Sequence, residues 1–182
     1  MSRLVAHLAT PVTDEDHAQG PPDAAVTLLQ YGDYECPYTR MSRHSINALQ
    51  REFPDTLRFV FRHFPLAEIH PHARAAAFAA EAAGRQGEFW AMHEYLFEHQ
   101  QALKDADLHL YATDLKLQPV QFDRDRTSPQ VARRIGRYRA SGERSGVMGT
   151  PTFYVNGVRH DGPFDVESLR AAVMAVMERP TE

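Results

Sequence analysis

The sequence predicts a mixed α/β fold in which a βαβ segment and a C-terminal ββα segment are separated by an all-helical insertion. Three observations carry that reading. Short apolar runs bounded by turn residues appear around Val26–Tyr31, Leu57–Phe64 and Thr152–His160. From Pro71 to about Gly146, apolar residues recur only at helical spacing. The dipeptide Asn156-Gly157 between two β-type runs is a strong hairpin signal.

The elements follow in order. Residues 1–23 are polar and proline-bearing and read as an arm lying on the domain or a loose terminus. After Gly20-Pro21-Pro22-Asp23, the segment Ala24–Tyr31 reads as a buried strand through Val26, Leu28 and Leu29. A helix then begins near Cys36-Pro37, with Ile46, Leu49 and Phe53 on one face, and Pro54 stops it. Leu57–Phe64 is the second strand, beside the first, and a strand–helix–strand of this length is a crossover unit. Residues 24–66 and 147–182 therefore form the expected core, and 67–146 the helical insertion.

Within the insertion, Pro71 opens an alanine-rich helix that Gly84 ends. Phe89, Met92 and Leu96 mark a second helix, and Leu108, Tyr111 and Leu115 a third. Ser128-Pro129 is a cap followed by proline at the first helical position, with Val131, Ile135 and Tyr138 facing inward. A last helix starts at Asp165 and turns Val166, Leu169, Val173 and Val176 inward.

With 43% hydrophobic and 24% charged residues, the chain can build a packed core and is not a disordered polyelectrolyte. A formal net charge of −4 argues against a general nucleic-acid binder. Met1–Thr10 lacks a basic start followed by an apolar secretory stretch, and no run reaches transmembrane length. One cysteine cannot form an internal disulfide, which suits a reducing compartment. These features predict a soluble, cytoplasmic protein with no membrane or nucleic-acid partner.

Chemistry concentrates at Cys36. A lone cysteine is by default a small buried hydrophobe, but this one sits where a strand gives way to a helix, with Pro37 suited to the first helical position. A thiol there meets unpaired backbone N–H groups and the positive end of the helix dipole, and both favour thiolate over thiol. The dipole contribution is about 0.3–1 kcal/mol. Asp33 and Glu35 act in the opposite sense where they are ionised close to the sulfur, and the sequence leaves that balance open.

Cys36-Pro37-Tyr38-Thr39 is a C-x-x-C arrangement with threonine at its last position. In a dithiol enzyme the second cysteine displaces the captured substrate. Thr39 cannot do that, although its hydroxyl can donate a hydrogen bond towards the sulfur. Release then needs an external thiol. Pro151, in Gly149-Thr150-Pro151-Thr152-Phe153, fits the start of a strand. Local statistics favour a trans bond before it, with cis in only about 5–6% of such bonds.

Other signals are weaker. His70-Pro71-His72, and His93 with His99, lack the spacing of helical metal ligation, and no metal or cofactor is expected. Arg124, Arg126, Arg133, Arg134, Arg137, Arg139 and Arg144 read as a solvated helix face, with an anionic-thiol site as the sharper alternative.

Taken together, the run Tyr31-Gly32-Asp33-Tyr34-Glu35-Cys36-Pro37-Tyr38, Phe59–Leu66, His70-Pro71-His72-Ala73, Gly87-Glu88-Phe89-Trp90 and Gly146–Asn156 resemble DsbA-like thioredoxin-fold proteins. The likeness runs from Gly20 to the last helix, and is greatest to the leaderless branch also found fused behind sodium/proton antiporters. It implies a thioredoxin-like core carrying a helical insertion and a nucleophilic Cys36. It also implies that Pro151 is a cis-proline and that Thr150 lines the substrate groove beside the sulfur with Pro37 and Tyr38. Thr39 departs from the family's usual second cysteine.

The expected function is a monothiol thiol–disulfide oxidoreductase acting on disulfide-bonded or glutathionylated proteins, with a small thiol such as glutathione as reductant. Two other readings stand beside it. One is a glutathione-dependent transferase or isomerase, resembling kappa-class transferases that carry serine where Cys36 stands. The other is a non-catalytic peptide-binding or chaperone-like module.

Overall fold

The computed structural model describes residues 6–178. They form two compact units, the first running to Gly32 and including Met41–Arg62 and the chain from Ser141 onward. The second comprises Asp33–Arg40 and His63–Ala140.

The first unit is built on a five-stranded sheet. Its strands are β1 (His17–Gln19), β2 (Val26–Gly32), β3 (Leu57–His63), β4 (Thr152–Val155) and β5 (Val158–His160), in spatial order β1-β3-β2-β4-β5. β2 thus lies beside β3, as the crossover reading requires. β4 pairs antiparallel with both β2 and β5, Leu29 facing Tyr154 and Val155 facing Val158. The positions of β2 and β3 are buried nearly without a break, Gln30, Arg62 and His63 included, as in strands covered on both faces.

The hairpin forms at Asn156-Gly157, where both residues take positive φ. Asn156 is tied down further: its Oδ1 accepts from the Thr27 N–H at 2.6 Å, and its Nδ2 donates to the Ala25 carbonyl at 3.0 Å. Helix α7 (Val166–Met177) starts where Asp165 accepts from the Ser168 N–H, and it packs Leu169 and Val173 against β2 and β4.

Among the described residues of the opening segment, β1 pairs with β3 at the sheet edge. Arg62 is the reason it is held. This residue is 2% exposed and forks onto Asp16, Nε to Oδ1 at 2.8 Å and Nη2 to Oδ2 at 2.9 Å. Its remaining donors reach the carbonyls of Thr10 and Pro11 at 2.9 and 2.8 Å and the hydroxyls of Tyr31 and Ser141 at 3.2 and 3.3 Å. Burial alone would lower the Arg62 pKa, but hydrogen bonds to Asp16 and Tyr31 outweigh it and hold the guanidinium above its ordinary value. Gly20 closes the turn after β1 at φ 92°, where a Cβ would collide with the Leu57 carbonyl oxygen.

The second unit is helical: α2 (Ala73–Gly84), α3 (Phe89–Glu98), α4 (Asp105–Asp114), α5 (Pro119–Arg126) and most of α6 (Pro129–Arg144). The alanines of α2 leave a small-residue surface, so α3 and α5 both pack closely against it. Helix α5 is too short to carry a periodic signal. It spans only two turns, and of its residues only Phe122 and Asp125 are buried. At α6, Ser128 Oγ accepts from the Val131 N–H and Pro129 opens the helix, with Val131, Ile135 and Tyr138 buried as expected.

The arginine-rich stretch is not a plain solvated face. Arg124 pairs with Asp125, Arg126 with Asp105 and Asp123, Arg134 with the buried Glu81, and Arg139 with Glu68. These four of the seven arginines are thus paired with acids of α5 itself, of α2 and α4, and of the turn at Glu68.

Candidate active site

Helix α1 (Pro37–Glu52) begins in the second unit, and Cys36 occupies the capping position immediately before it. The Cys36 N–H donates to the Asp33 carbonyl at 3.2 Å, closing a turn, and the Cys36 carbonyl accepts the first helical bond from Arg40 at 3.2 Å. Pro37 stands at the first helical position, where a missing N–H costs nothing. The sequence placed the cysteine correctly at a helix start.

Cys36 is 4% exposed and counts as core, whereas Pro37 is exposed and Tyr38 is 58% exposed. The cause is the packing of its neighbours. Tyr34, 1% exposed, sits among the rings of Phe97, His93 and His63 at 4.8, 5.5 and 5.8 Å, and its hydroxyl meets His93 Nδ1 at 3.0 Å. That cluster draws the loop inward.

Thr39 is fully buried, and its Oγ1 accepts from the Asp33 N–H at 3.4 Å. No second thiol exists anywhere in the chain.

The two acids next to the cysteine are each engaged. Asp33 Oδ1 accepts from the Glu35 N–H at 2.8 Å, while Oδ2 accepts from the Leu66 N–H at 2.9 Å and from His70 Nδ1 at 2.8 Å. Glu35 accepts from the His72 N–H at 2.6 Å and from His72 Nδ1 at 2.8 Å. His70-Pro71-His72, set aside as a metal motif, instead supplies one imidazole to each carboxylate.

Sequence reasoning missed Gln100. Its amide nitrogen donates to the carbonyls of Tyr34 and Cys36 at 2.8 and 2.9 Å, and the residue is 6% exposed. Nothing in its local sequence marks it, because it lies 64 positions from Cys36.

Thr150 and Pro151 belong to the first unit, in the loop entering β4. The Thr150–Pro151 bond is cis, against the local statistics and in the form the family resemblance implies. Thr152 steadies the loop by donating its hydroxyl to the Gly149 carbonyl at 2.7 Å.

Residues 12–175 match the family model described as thioredoxin. The chain belongs to the thioredoxin family. Among solved structures it is similar to a thioredoxin-like oxidoreductase from Silicibacter pomeroyi, at 27% identity and a TM-score of 0.83, covering 92% of this chain and 95% of that one. BdbD from Bacillus subtilis shares the fold at a TM-score of 0.83 and 23% identity, covering 96% of this chain and 99% of that one. Among curated proteins, the Na(+)/H(+) antiporter NhaA 3 of Salinispora tropica is 44% identical over 175 residues, 96% of this chain and 27% of that protein. An NhaA antiporter of Herminiimonas arsenicoxydans is 42% identical over 169 residues, covering 92% of this chain and again 27% of that protein. The chain thus spans about a quarter of the length of these curated relatives. No helix among the described residues is long and apolar enough to cross a membrane.

Proposed function

We propose that this thioredoxin-family chain is a thiol–disulfide oxidoreductase working through Cys36 alone. The observation that carries the reading is a cysteine capping a helix start, with a buried threonine three positions on where a resolving thiol would stand. The Cys36 thiolate attacks one sulfur of a disulfide. A Cys36–sulfur bond forms, the substrate's sulfur–sulfur bond breaks, and its other half leaves as thiolate. On a glutathionylated protein, the protein thiolate is released and Cys36 carries glutathione. A second glutathione thiolate then attacks the mixed disulfide, giving glutathione disulfide and regenerating Cys36. Thr150 supplies main chain for strand-like pairing with an extended peptide, the role the family resemblance gives it. A reducing, cytoplasmic setting supplies the external thiol this route needs.

A glutathione-coupled disulfide assay tests the proposal. Turnover is expected in the native chain and should vanish in Cys36→Ser; equal turnover in both proteins refutes it.

The burial of Cys36 favours a second reading, a peptide-binding module in which the sulfur is structural. Under that reading Cys36 resists alkylation at neutral pH and Cys36→Ser binds extended peptides as the native chain does.

A further inference from the structure

We propose that Asp33 is a positioning residue for Cys36 and that His70 acts through it. The inference rests on the redox reading of Cys36. Asp33 fixes the helix start at every level: its carbonyl accepts from the Cys36 N–H, its own N–H donates to Thr39 Oγ1, and its Oδ1 accepts from the Glu35 N–H. The first two bonds are made by the Asp33 backbone and the third by its carboxyl group, so the anchored side chain fixes the residue whose main chain sets the helix start. The second oxygen, Oδ2, secures the carboxyl group, held from the side by the Leu66 N–H at 2.9 Å and His70 Nδ1 at 2.8 Å.

The Asp33 side chain is fully buried, while that of His70 is 17% exposed. The pair therefore joins an interior carboxylate to a partner at the edge of the solvent. Burying a carboxylate is costly unless donors offset its lost hydration, and losing the imidazole takes one such donor from Oδ2, which is then held by the Leu66 N–H with less constraint. That change slackens the loop that aims the Cys36 sulfur. Glu35 and His72 repeat the arrangement beside it, with side chains 19% and 38% exposed, and make a weaker, wetter second fastening.

The role is one of geometry: small misplacements of a reacting group cost far more in rate than in binding. The test compares His70→Ala with His70→Asn, whose amide nitrogen can stand where Nδ1 donates. In the glutathione-coupled assay, His70→Ala should lower kcat on the order of tenfold with KM nearly unchanged, and His70→Asn should restore most of it. Asp33→Asn, which keeps one accepting oxygen, should fall between native and His70→Ala. Unfolding midpoints measured in parallel separate positioning from lost structure. Equal kcat in His70→Ala and native protein overturns the inference, as does equal loss in the alanine and asparagine variants. If the native chain shows no Cys36-dependent turnover, the redox reading fails instead. Alkylation of Cys36 by iodoacetamide then decides: a severalfold change in His70→Ala that His70→Asn reverses supports positioning, and identical rates end it.

Discussion

Gln100 reaches Cys36 through the backbone: its amide nitrogen donates to the Cys36 carbonyl at 2.9 Å and to the Tyr34 carbonyl at 2.8 Å. One side chain from beyond the end of α3 thus holds both carbonyls that flank Glu35. With the Asp33 network on the other side, the loop is gripped from two directions.

Gln100→Ala removes both bonds from a buried setting and should cost about 1–3 kcal/mol of stability. Gln100→Glu should be at least as damaging when ionised, because a carboxylate offers only acceptors to two carbonyl oxygens. Urea unfolding measures the loss. Exchange through Cys36 should fall in both variants; full activity in either would show that the grip is not needed for chemistry.

Thr39→Cys supplies the missing resolving thiol. Residues three apart in the first helical turn lie on one face, within the Cα separation a disulfide spans. Mild oxidant should therefore remove two hydrogens from the intact mass and block Cys36 from alkylation, and release of substrate should no longer need glutathione. The variant weakens the acceptor for the Asp33 N–H, so the reduced form should be less stable than native. A reduced mass after oxidation, with both thiols still reactive, would contradict the placement of Thr39.

Asp16→Ala strands the Arg62 guanidinium, which is 2% exposed. Removing one partner of a buried pair typically costs about 3–5 kcal/mol, since the remaining charge has lost its compensation. The urea midpoint should drop while the slope of the transition stays constant. A loss below about 1 kcal/mol would mean that the Thr10 and Pro11 carbonyls suffice to hold the arginine.

Apart from β1 and α5, the order of elements was readable in the sequence because each carried its own local signal. Asn156-Gly157 announced its hairpin, Ser128-Pro129 its helix start, and Cys36-Pro37 the capping cysteine. Features joining distant segments were not readable. Arg62 carries no local signal of burial, because the groups that make it tolerable are distant: Asp16 lies 46 positions away, and the Thr10 and Pro11 carbonyls lie further still. Asp33 and Glu35 read as acids crowding a thiolate, because local sequence does not reveal that His70 and His72 return to meet them. The cis bond before Pro151 was legible only through family likeness, since the two isomers differ by less than about 1 kcal/mol in local preference.

His109 offers a prediction in pH. Its Nδ1 donates to the Asp105 carbonyl at 2.8 Å and its Nε2 to Asp123 Oδ1 at 2.7 Å, so both ring nitrogens are placed as donors. The bond to the Asp105 carbonyl raises its pKa most. Partial burial pulls it down, Asp123 raises it again and Arg126 opposes that, and the net shift is upward. Asp123 moves the other way, lowered chiefly by its hydrogen bond to His109. A raised histidine stabilises the fold while protonated, fully so below its unfolded value, and the contribution is lost as pH rises through the folded one. A lowered aspartate contributes above its unfolded value and loses that contribution as pH falls through the folded one. The pair therefore acts most strongly between roughly pH 4 and pH 6.5. With side chains 39% and 52% exposed, screening should limit the gain to about 0.5 kcal/mol. Unfolding of native protein and His109→Gln across pH should show its largest difference inside that window, shrinking above neutrality and again in acid. A difference that persists unchanged in mild alkali would show that hydrogen bonding by the neutral ring, and not the charge, is what His109 contributes.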